Sequence, residues 1–194
     1  MQENFNLTIT AGKYRGKKLQ SASLKSTRST KSILKGSLFD TLQFEILDAN
    51  FVEVFGGSGS IGLEALSRGA KFAYFIEKDV KAFKVLTKNC DSIDKENTET
   101  ILGDSFEVYP KFVNKLLQMN EKAYLYFDPP FDIREGMEDI YEKVLFLIEN
   151  TPTEVVKTII VEHSSKTKLP ETIGKFTQKK SKKFGKSSLT YYLA

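Results

Sequence analysis

The sequence predicts an α/β protein built on a doubly wound, mostly parallel sheet that ends in an antiparallel hairpin. Two observations predict this fold class. Short apolar runs, rich in β-branched and aromatic residues, alternate along the chain with segments whose apolar residues recur at the helical period. A glycine-rich turn also joins one of these runs directly to a helical segment. Such alternation is typical of βαβ units, whose parallel strands are covered by helices on both faces.

A basic N-terminal hairpin opens the predicted order of elements. Its strands are Thr8–Ala11 and Lys18–Ala22, and the chain turns near Gly12–Gly16. Residues 1–29 are predicted to form an extension of a main domain that comprises residues 30–194. Apolar residues at the helical period then predict a helix within Thr30–Asp48. Its apolar positions are Ile33, Leu34, Leu38, Leu42, Ile46 and Leu47.

The main domain alternates strands and helices. Its strands are short apolar runs bounded by polar residues or glycine, and its helices repeat apolar residues every three or four positions. After Pro170 the pattern changes to two strands with a turn rich in Lys and Gly, which a mixed sheet accommodates. The predicted elements are strand Phe51–Phe55, helix Ser60–Arg68, strand Phe72–Ile76, helix Val80–Ile93, strand Glu99–Leu102, helix Ser105–Leu117, strand Tyr124–Phe127, helix Gly136–Glu149, strand Thr158–Glu162, strand Ile173–Lys180, turn Lys182–Lys186 and strand Ser188–Leu193.

Composition excludes several classes of protein. A hydrophobic fraction of 40% is ample for a packed core, and no apolar stretch is long enough to span a bilayer. The chain has a single cysteine, Cys90, and a single histidine, His163. A disulfide framework is therefore excluded and no metal site is expected. We expect a monomeric protein of the cytoplasm.

Charge is distributed unevenly along the chain. Residues 11–39 hold eight Lys or Arg and no acidic residue, and residues 163–194 hold eight Lys and one Glu. The segment between them has 13 basic and 23 acidic residues. Basic ends on an acidic centre favour a polyanionic partner, although lysine runs are also common on solvated surfaces. The candidate nucleic-acid contacts are Lys13, Arg15, Lys17, Lys18, Arg28, Lys179, Lys180, Lys182 and Lys183.

The glycine-rich turn has the spacing of a nucleotide-binding motif. Gly57, Gly59 and Gly62 satisfy G-x-G-x-x-G between a predicted strand and a predicted helix, where ligands approach the carboxyl ends of parallel strands. Glu77 ends the next strand, twenty residues after Gly57. A carboxylate there can accept hydrogen bonds from both hydroxyls of a ribose. The pattern predicts an adenosine-containing cofactor and leaves NAD and S-adenosylmethionine both open.

Two further acidic positions bear on the choice of cofactor. Glu53 precedes the turn, and a carboxylate there suits the cationic methionine part of S-adenosylmethionine better than a pyrophosphate. Asp104 and Ser105 follow the third strand, where an adenine amino group could be bound, or where Asp104 could cap the next helix. The candidate cofactor contacts are Glu53, Phe55, Gly57, Gly59, Gly62, Glu77, Asp104, Ser105 and Asp128.

A second motif, Asp128-Pro129-Pro130-Phe131, follows the strand Tyr124–Phe127. Asp128 and the carbonyl of Pro129 can together accept hydrogen bonds from one exocyclic amino group, and Phe131 can stack on a base. Two acceptors on the amine favour a tetrahedral nitrogen whose lone pair attacks a sulfonium methyl group. The motif thus favours methyl transfer over hydride transfer, with Asp128, Pro129 and Phe131 as candidate catalytic residues.

Together these motifs resemble the RsmD-type methyltransferases, and the resemblance covers nearly the whole chain. It is carried by Ile9–Leu19, which is similar to the family's basic hairpin, by Phe55–Ala70, by Glu77 and by Phe127–Phe131. The resemblance implies a Rossmann-like class I methyltransferase fold. It also implies S-adenosylmethionine as cofactor and methylation of guanine N2 in the 16S ribosomal RNA, with the 30S subunit or an assembly intermediate as substrate.

Three other functions stay open from the sequence. An adenine-N6 methyltransferase of DNA or RNA would use the same Asp-Pro-Pro-Phe turn. An NAD-dependent oxidoreductase would use the glycine turn alone, and it would bind NAD in place of S-adenosylmethionine. A non-catalytic RNA-binding protein could retain the fold without turnover.

Overall fold

A computed structural model describes residues 5–21, 28–130 and 139–194. The chain divides into two compact units, Met1–Ser105 and Phe106–Ala194. Within the described ranges, no helix is long and apolar enough to cross a membrane. The predicted domain boundary after residue 29 stays a prediction.

The first unit contains a two-stranded antiparallel ribbon and three parallel strands with their helices. The ribbon pairs β1 with β2. The parallel strands lie in the order β5, β4, β3, so that β4 pairs with both neighbours. The elements are β1 (Phe5–Thr8), β2 (Lys18–Gln20), α1 (Arg28–Thr41), β3 (Asn50–Glu53), α2 (Ser60–Ser67), β4 (Phe72–Glu77), α3 (Val80–Asp94), a 3-10 turn (Lys95–Asn97) and β5 (Thr98–Leu102).

The prediction for the ribbon is wrong in one strand. β1 ends at Thr8, whereas the predicted strand began there and ran to Ala11. Thr10 and Ala11 leave the ladder because their backbone N–H groups donate to the buried carboxylate of Glu64, at 2.9 and 3.1 Å. The predicted end of the second strand, Ala22, lies outside the described residues.

The helical pattern over Thr30–Asp48 is also only partly correct. α1 ends at Thr41, and turns follow it up to Asp48. Leu42 and Ile46 are still buried, at 2% and 1% exposure, but Ile33 and Leu47 are 64% and 56% exposed. Leu42 and Ile46 therefore pack into the core, although the backbone after Thr41 is not part of the helix.

The second unit contains five strands of mixed direction, in the order β6, β7, β10, β9, β8. β6 and β7 are parallel, and β10 lies antiparallel between β7 and β9. The elements are α4 (Ser105–Met119, which begins at the last residue of the first unit), β6 (Ala123–Phe127), α5 (Ile140–Glu149), a 3-10 turn (Thr153–Val155), β7 (Val156–Ser164), β8 (Thr172–Ile173), β9 (Phe176–Phe184) and β10 (Ser187–Leu193). The parallel strands, the helices between them and the terminal antiparallel pair confirm the predicted fold class. Residues 136–138 of the predicted fifth helix lie outside the described residues.

The terminal hairpin differs from its prediction in two places. The predicted strand Ile173–Lys180 is two strands, β8 and β9, because the chain turns at Gly174 and pairs back on itself. The predicted turn Lys182–Lys186 is too long. Lys182 and Lys183 belong to β9, where they pair with Leu189 and Ser188. The chain therefore reverses direction only after Phe184.

A short chain of polar side chains crosses three strands of this sheet. The Nε2 atom of His163 in β7 lies 2.8 Å from the Oγ1 atom of Thr190 in β10. Thr190 in turn lies 2.9 Å from the Oγ atom of Ser181 in β9. His163 and Thr190 are 4% and 1% exposed, and burial is the main cause that lowers the pKa of His163. The imidazole is therefore a buried, neutral partner within the sheet.

Candidate functional site

The glycine turn links β3 to α2 and takes a conformation that side chains disfavour. Gly57 and Gly59 have φ values of 53° and 74°, in the left-handed region. The N–H of Gly59 donates to the carbonyl of Gly56 at 2.7 Å, which closes the turn. Two of the three motif glycines are thus required by backbone geometry.

Three side chains hold the backbone of this turn. The carboxylate of Glu53 accepts from the N–H of Gly62 at 2.8 Å, at the start of α2. Glu77 accepts with Oε2 from the N–H of Gly57 at 2.7 Å, and with Oε1 from the N–H of Asp79 at 2.8 Å. The side chain of Asn89 donates to the carbonyl of Ser58 at 2.8 Å. Asn89 lies in α3 and was not among the sequence candidates.

One side of the turn is open and the other is tightly packed. A Cβ atom built on Gly57 would have no heavy atom within 4 Å, whereas one on Gly59 would lie 2.6 Å from Leu86. A Cβ atom on Gly62 would lie 2.4 Å from the ring of Phe75 in β4. The open side at Gly57, with the half-buried Glu77 beside it, is where a ligand can approach the bare backbone.

We expect Gly62→Ala to destabilise the protein by about 1–3 kcal/mol, because the added methyl overpacks α2 against the ring of Phe75. Urea unfolding would measure the change. Gly36→Ala is the matched control, since a Cβ atom on Gly36 in α1 meets nothing within 4 Å. That variant should be more stable than wild type by up to about 1 kcal/mol. A Gly62→Ala protein as stable as wild type would contradict the close packing.

The remaining candidates of the first unit differ in their surroundings. Ser105 is 3% exposed, and its hydroxyl donates to the carbonyl of Val54 at 2.6 Å, so it supports the chain that leads into the turn. The side chain of Asp104 is 37% exposed, and its Oδ2 atom lies 3.5 Å from the Nζ atom of Lys78. Phe55 is half-buried between β3 and the turn.

The second motif follows β6 in the second unit. β6 is fully buried, Asp128 and Pro130 are half-buried, and Pro129 is buried. Phe131 lies outside the described residues, so its stacking role stays a prediction. Asp128 therefore stands at the carboxyl end of a buried parallel strand, as the sequence predicts.

Two more polar groups accompany Asp128 in this unit. Burial is the main cause that raises the pKa of Tyr141, and the negative charges of Asp128 and Glu162 raise it further. The hydroxyl of Tyr141 accepts from the N–H of Ser164 at 2.9 Å. Glu162 is 2% exposed and accepts from the hydroxyl of Tyr126 at 2.5 Å. Asp128 and Glu162 thus both lie close enough to Tyr141 to act on it electrostatically, and Asp128 is itself partly shielded from water.

The described candidate basic residues of the first unit lie within residues 12–18, on the loop between β1 and β2 and at the first residue of β2. Lys13, Arg15, Lys17 and Lys18 are all exposed. The side chain of Arg28 lies outside the described residues.

The start of this loop is fixed to α2. The N–H of Tyr14 donates to the hydroxyl of Ser67 at 2.9 Å, and that hydroxyl donates to the carbonyl of Ala11. Glu64 binds the chain just before the loop, at Thr10 and Ala11, and pairs with Lys35 at 2.8 Å. The exposed cations are therefore carried by a backbone held in place.

The basic residues of the second unit lie on β9 and alternate between its two faces. Lys179 and Lys183 are exposed, whereas Lys180 and Lys182 are half-buried. The ammonium group of Lys180 lies 5.8 Å from the ring centroid of Tyr191. Burial and, next, the charge of Lys182 lower the pKa of Lys180. β8 pairs only with the start of β9, so these lysines lie on the part of β9 that β8 does not cover.

No group of three or more His, Cys, Asp or Glu residues that could hold a metal ion occurs in the part of the chain that the structure describes. Cys90 in α3 is 2% exposed. Burial and the charge of Glu53 raise the pKa of its thiol to about 12. At neutral pH it is a protonated, inert core residue.

Comparison with known proteins identifies the family. The model of the family described as "Conserved hypothetical protein 95" matches residues 7–193. "Putative rRNA methyltransferase YlbH" of Bacillus subtilis is 26% identical over 192 residues, which cover 96% of this chain and 98% of that protein. "Ribosomal RNA small subunit methyltransferase D" of Escherichia coli K12 is 29% identical over 187 residues, which cover 96% and 89%.

A solved structure supports the same relationship. "Putative methyltransferase yhhF from Escherichia coli" is 27% identical and superposes with a TM-score of 0.72 over 96% of each chain. The likeness in sequence and in backbone thus spans almost the whole molecule. The chain therefore has the Rossmann-like methyltransferase fold and belongs to the Conserved hypothetical protein 95 family, which is the RsmD family that its motifs resemble.

Proposed function

We propose that this protein transfers a methyl group from S-adenosylmethionine to the exocyclic N2 amino group of a guanine in small-subunit ribosomal RNA. The observation that carries the proposal is the glycine turn with the carboxylate of Glu77 on the N–H of Gly57, at 2.7 Å, beside open space. Family membership and the names of the two relatives support methyl transfer to ribosomal RNA. The choice of guanine N2 rests on the resemblance to the RsmD-type enzymes.

The residues of the turn fit S-adenosylmethionine. Glu77 is half-buried at the carboxyl end of β4 and offers carboxylate oxygens to the two ribose hydroxyls. Asp104, two residues after β5, is the candidate acceptor for the adenine amino group. Glu53, 5% exposed beneath the turn, adds negative charge that suits a sulfonium or ammonium group better than a pyrophosphate. When bound, S-adenosylmethionine supplies an electrophilic methyl group on its sulfonium.

Asp128 and the carbonyl of Pro129 act on the amine of the target base. The lone pair of an exocyclic amine is delocalised into the ring, which makes the nitrogen a weak nucleophile. Two fixed acceptors hold its N–H groups and favour the tetrahedral nitrogen that attacks. The positive charge that develops on the nitrogen is stabilised by the carboxylate of Asp128. Orientation of the amine supplies the larger part of the acceleration.

The deciding experiment measures transfer of labelled methyl from S-adenosylmethionine to naked ribosomal RNA and to isolated 30S subunits, both from cells that lack this protein. Nucleoside analysis of the product should give N2-methylguanosine. Label in N6-methyladenosine would keep the reaction and overturn the choice of base. Binding of NAD with no binding of S-adenosylmethionine would overturn the proposal as a whole.

The lysines of β9 extend the proposal to the RNA. We expect replacement of Lys179, Lys180, Lys182 and Lys183 by Gln to weaken RNA binding and to lower its salt dependence, by about one unit of logarithmic slope for each lost phosphate contact. Filter binding at roughly 50 to 300 mM salt, a range that includes physiological ionic strength, would measure the RNA affinity and its salt dependence. Lys84→Gln with Lys88→Gln, two exposed lysines of α3, is the control.

Lysines on the uncovered part of an edge strand have another physical use, since they prevent edge-to-edge pairing with a second molecule. Unchanged RNA affinity and slope, together with new self-association of the variant, would assign the lysines to that use. The same outcome would overturn their role in binding RNA.

A further inference from the structure

Asn89 in α3 is a buried amide to which the reaction described above assigns no task. Its side chain is 2% exposed. The Oδ1 atom accepts from the N–H of Gln20 at 2.9 Å, and the Nδ2 atom donates to the carbonyls of Gln20 and Ser58 at 3.0 and 2.8 Å. The orientation of the amide is fixed by these partners, because the flipped amide would set its oxygen against two carbonyl oxygens.

These three bonds join two parts of the first unit that are far apart in sequence. Gln20 is the last residue of β2, in the ribbon that carries the exposed cations of residues 12–18. Ser58 lies between the two left-handed glycines of the turn. Glu53 and Glu77 hold N–H groups of the turn, whereas Asn89 holds a carbonyl.

The carbonyl of Ser58 belongs to the peptide that links Ser58 to Gly59. A glycine imposes little barrier to rotation of such a peptide. The hydrogen bond from the Nδ2 atom of Asn89 restrains this peptide. The other two hydrogen bonds of the same amide join it to the backbone of Gln20 in β2. The amide therefore sets the shape of the cofactor turn and makes that shape depend on the ribbon.

We infer that Asn89 is a positioning residue, which fixes the turn for S-adenosylmethionine and couples the turn to β2. The inference rests on the proposed function, since it takes S-adenosylmethionine as the ligand of the turn. Coupling of this kind is reciprocal, so that cofactor binding at the turn must also stabilise β2.

The first test is calorimetric titration of the intact protein with S-adenosylmethionine. Asn89→Leu keeps the branched shape of the side chain and removes all three bonds, and it should weaken binding about tenfold. Tyr14→Phe is the matched control: it removes a bond from the loop to Asp94 at the end of α3, and it touches no part of the turn. That variant should bind like wild type. An Asn89→Leu protein that is folded and binds within twofold of wild type would overturn the inference.

The second test needs no substitution. Amide hydrogen exchange is followed at Gln20 in the wild-type protein, because the N–H of Gln20 donates directly to Asn89. Saturating S-adenosylmethionine should slow exchange at Gln20 several-fold, while exchange at the exposed Lys84 stays the same. Protection at Gly57 without protection at Gln20 would overturn the coupling. A wild-type protein that does not bind S-adenosylmethionine would overturn the proposed function and, with it, this inference.

Discussion

Replacement of Asp128 by Ala is expected to lower the rate of methyl transfer by roughly 10²–10³-fold, with little change in the affinity for S-adenosylmethionine. The variant removes an acceptor and a negative charge from the attacking amine, where charge develops in the transition state. The substitution removes none of the hydrogen bonds that Glu77 makes to the turn, and Asp128, which the sequence also offers as a cofactor contact, is proposed to act on the amine alone. Single-turnover kinetics on 30S subunits, beside calorimetric titration of the cofactor, would measure the two quantities.

Asp128→Asn separates the charge from the hydrogen bond. Its carbonyl oxygen still accepts from the amine, so we expect its rate to lie between those of Asp128→Ala and wild type. Asp91→Ala, at an exposed position of α3, controls for the loss of a carboxylate as such. Loss of cofactor binding in a folded Asp128→Ala protein would contradict the division of roles between the two motifs.

Replacement of Glu64 by Ala is expected to destabilise the protein by about 3–5 kcal/mol. Glu64 is fully buried in α2 and accepts from Thr10 and Ala11, while its carboxylate pairs with Lys35 and Arg68 at 2.8 and 3.0 Å. Without the carboxylate, the 7%-exposed Lys35 loses its acidic partner and retains the hydrogen bond to the carbonyl of Thr8. The midpoint of urea unfolding measures the loss. Glu96→Ala, at an exposed position of the first unit, should change stability by less than about 0.5 kcal/mol.

The contribution of Glu64 should also depend on pH. Burial by itself raises the pKa of this carboxyl, but Lys35 and the hydrogen bonds from Thr10 outweigh burial and lower the pKa below its ordinary value of 4.5. A lowered pKa in the folded state stabilises the protein fully above pH 4.5, and this stabilisation disappears as pH falls through the folded pKa. The difference in stability between wild type and Glu64→Gln should thus be largest near neutral pH and shrink in acid. A difference that stayed constant down to pH 3 would contradict the ion pair.

The sequence predicts the parallel strands and the glycine turn well because both depend on local patterns. A run of four to six apolar residues that is rich in β-branched and aromatic residues and bounded by polar residues or glycine is typical of a buried strand. The glycine spacing has a physical reason. Gly57 and Gly59 have positive φ values, and a Cβ atom on Gly62 would overlap the ring of Phe75. The position of Asp128 at the end of β6 follows from the same pattern.

The side chains that hold the site together were missed, because their partners are distant in sequence. Glu64 lies 54 residues from Thr10, and Asn89 lies 69 residues from Gln20. One signal was present for Glu64: it is a single charged residue within the otherwise apolar run Ile61–Leu66. Asn89 has no such signal, since a polar residue on an amphipathic helix is expected to face solvent.

The polar chain from His163 through Thr190 to Ser181 has a consequence for how the last strands align. A slip of β10 by two residues would keep every side chain on its own face, so the apolar pattern alone does not oppose it. A two-residue slip in either direction would move Thr190 away from its position opposite Ser181 in β9, and in one of the two directions it would also move Thr190 further from His163 in β7. An unsatisfied buried polar group costs roughly 1–3 kcal/mol. These three side chains therefore oppose two-residue slips that the alternation of apolar and polar side chains alone would tolerate.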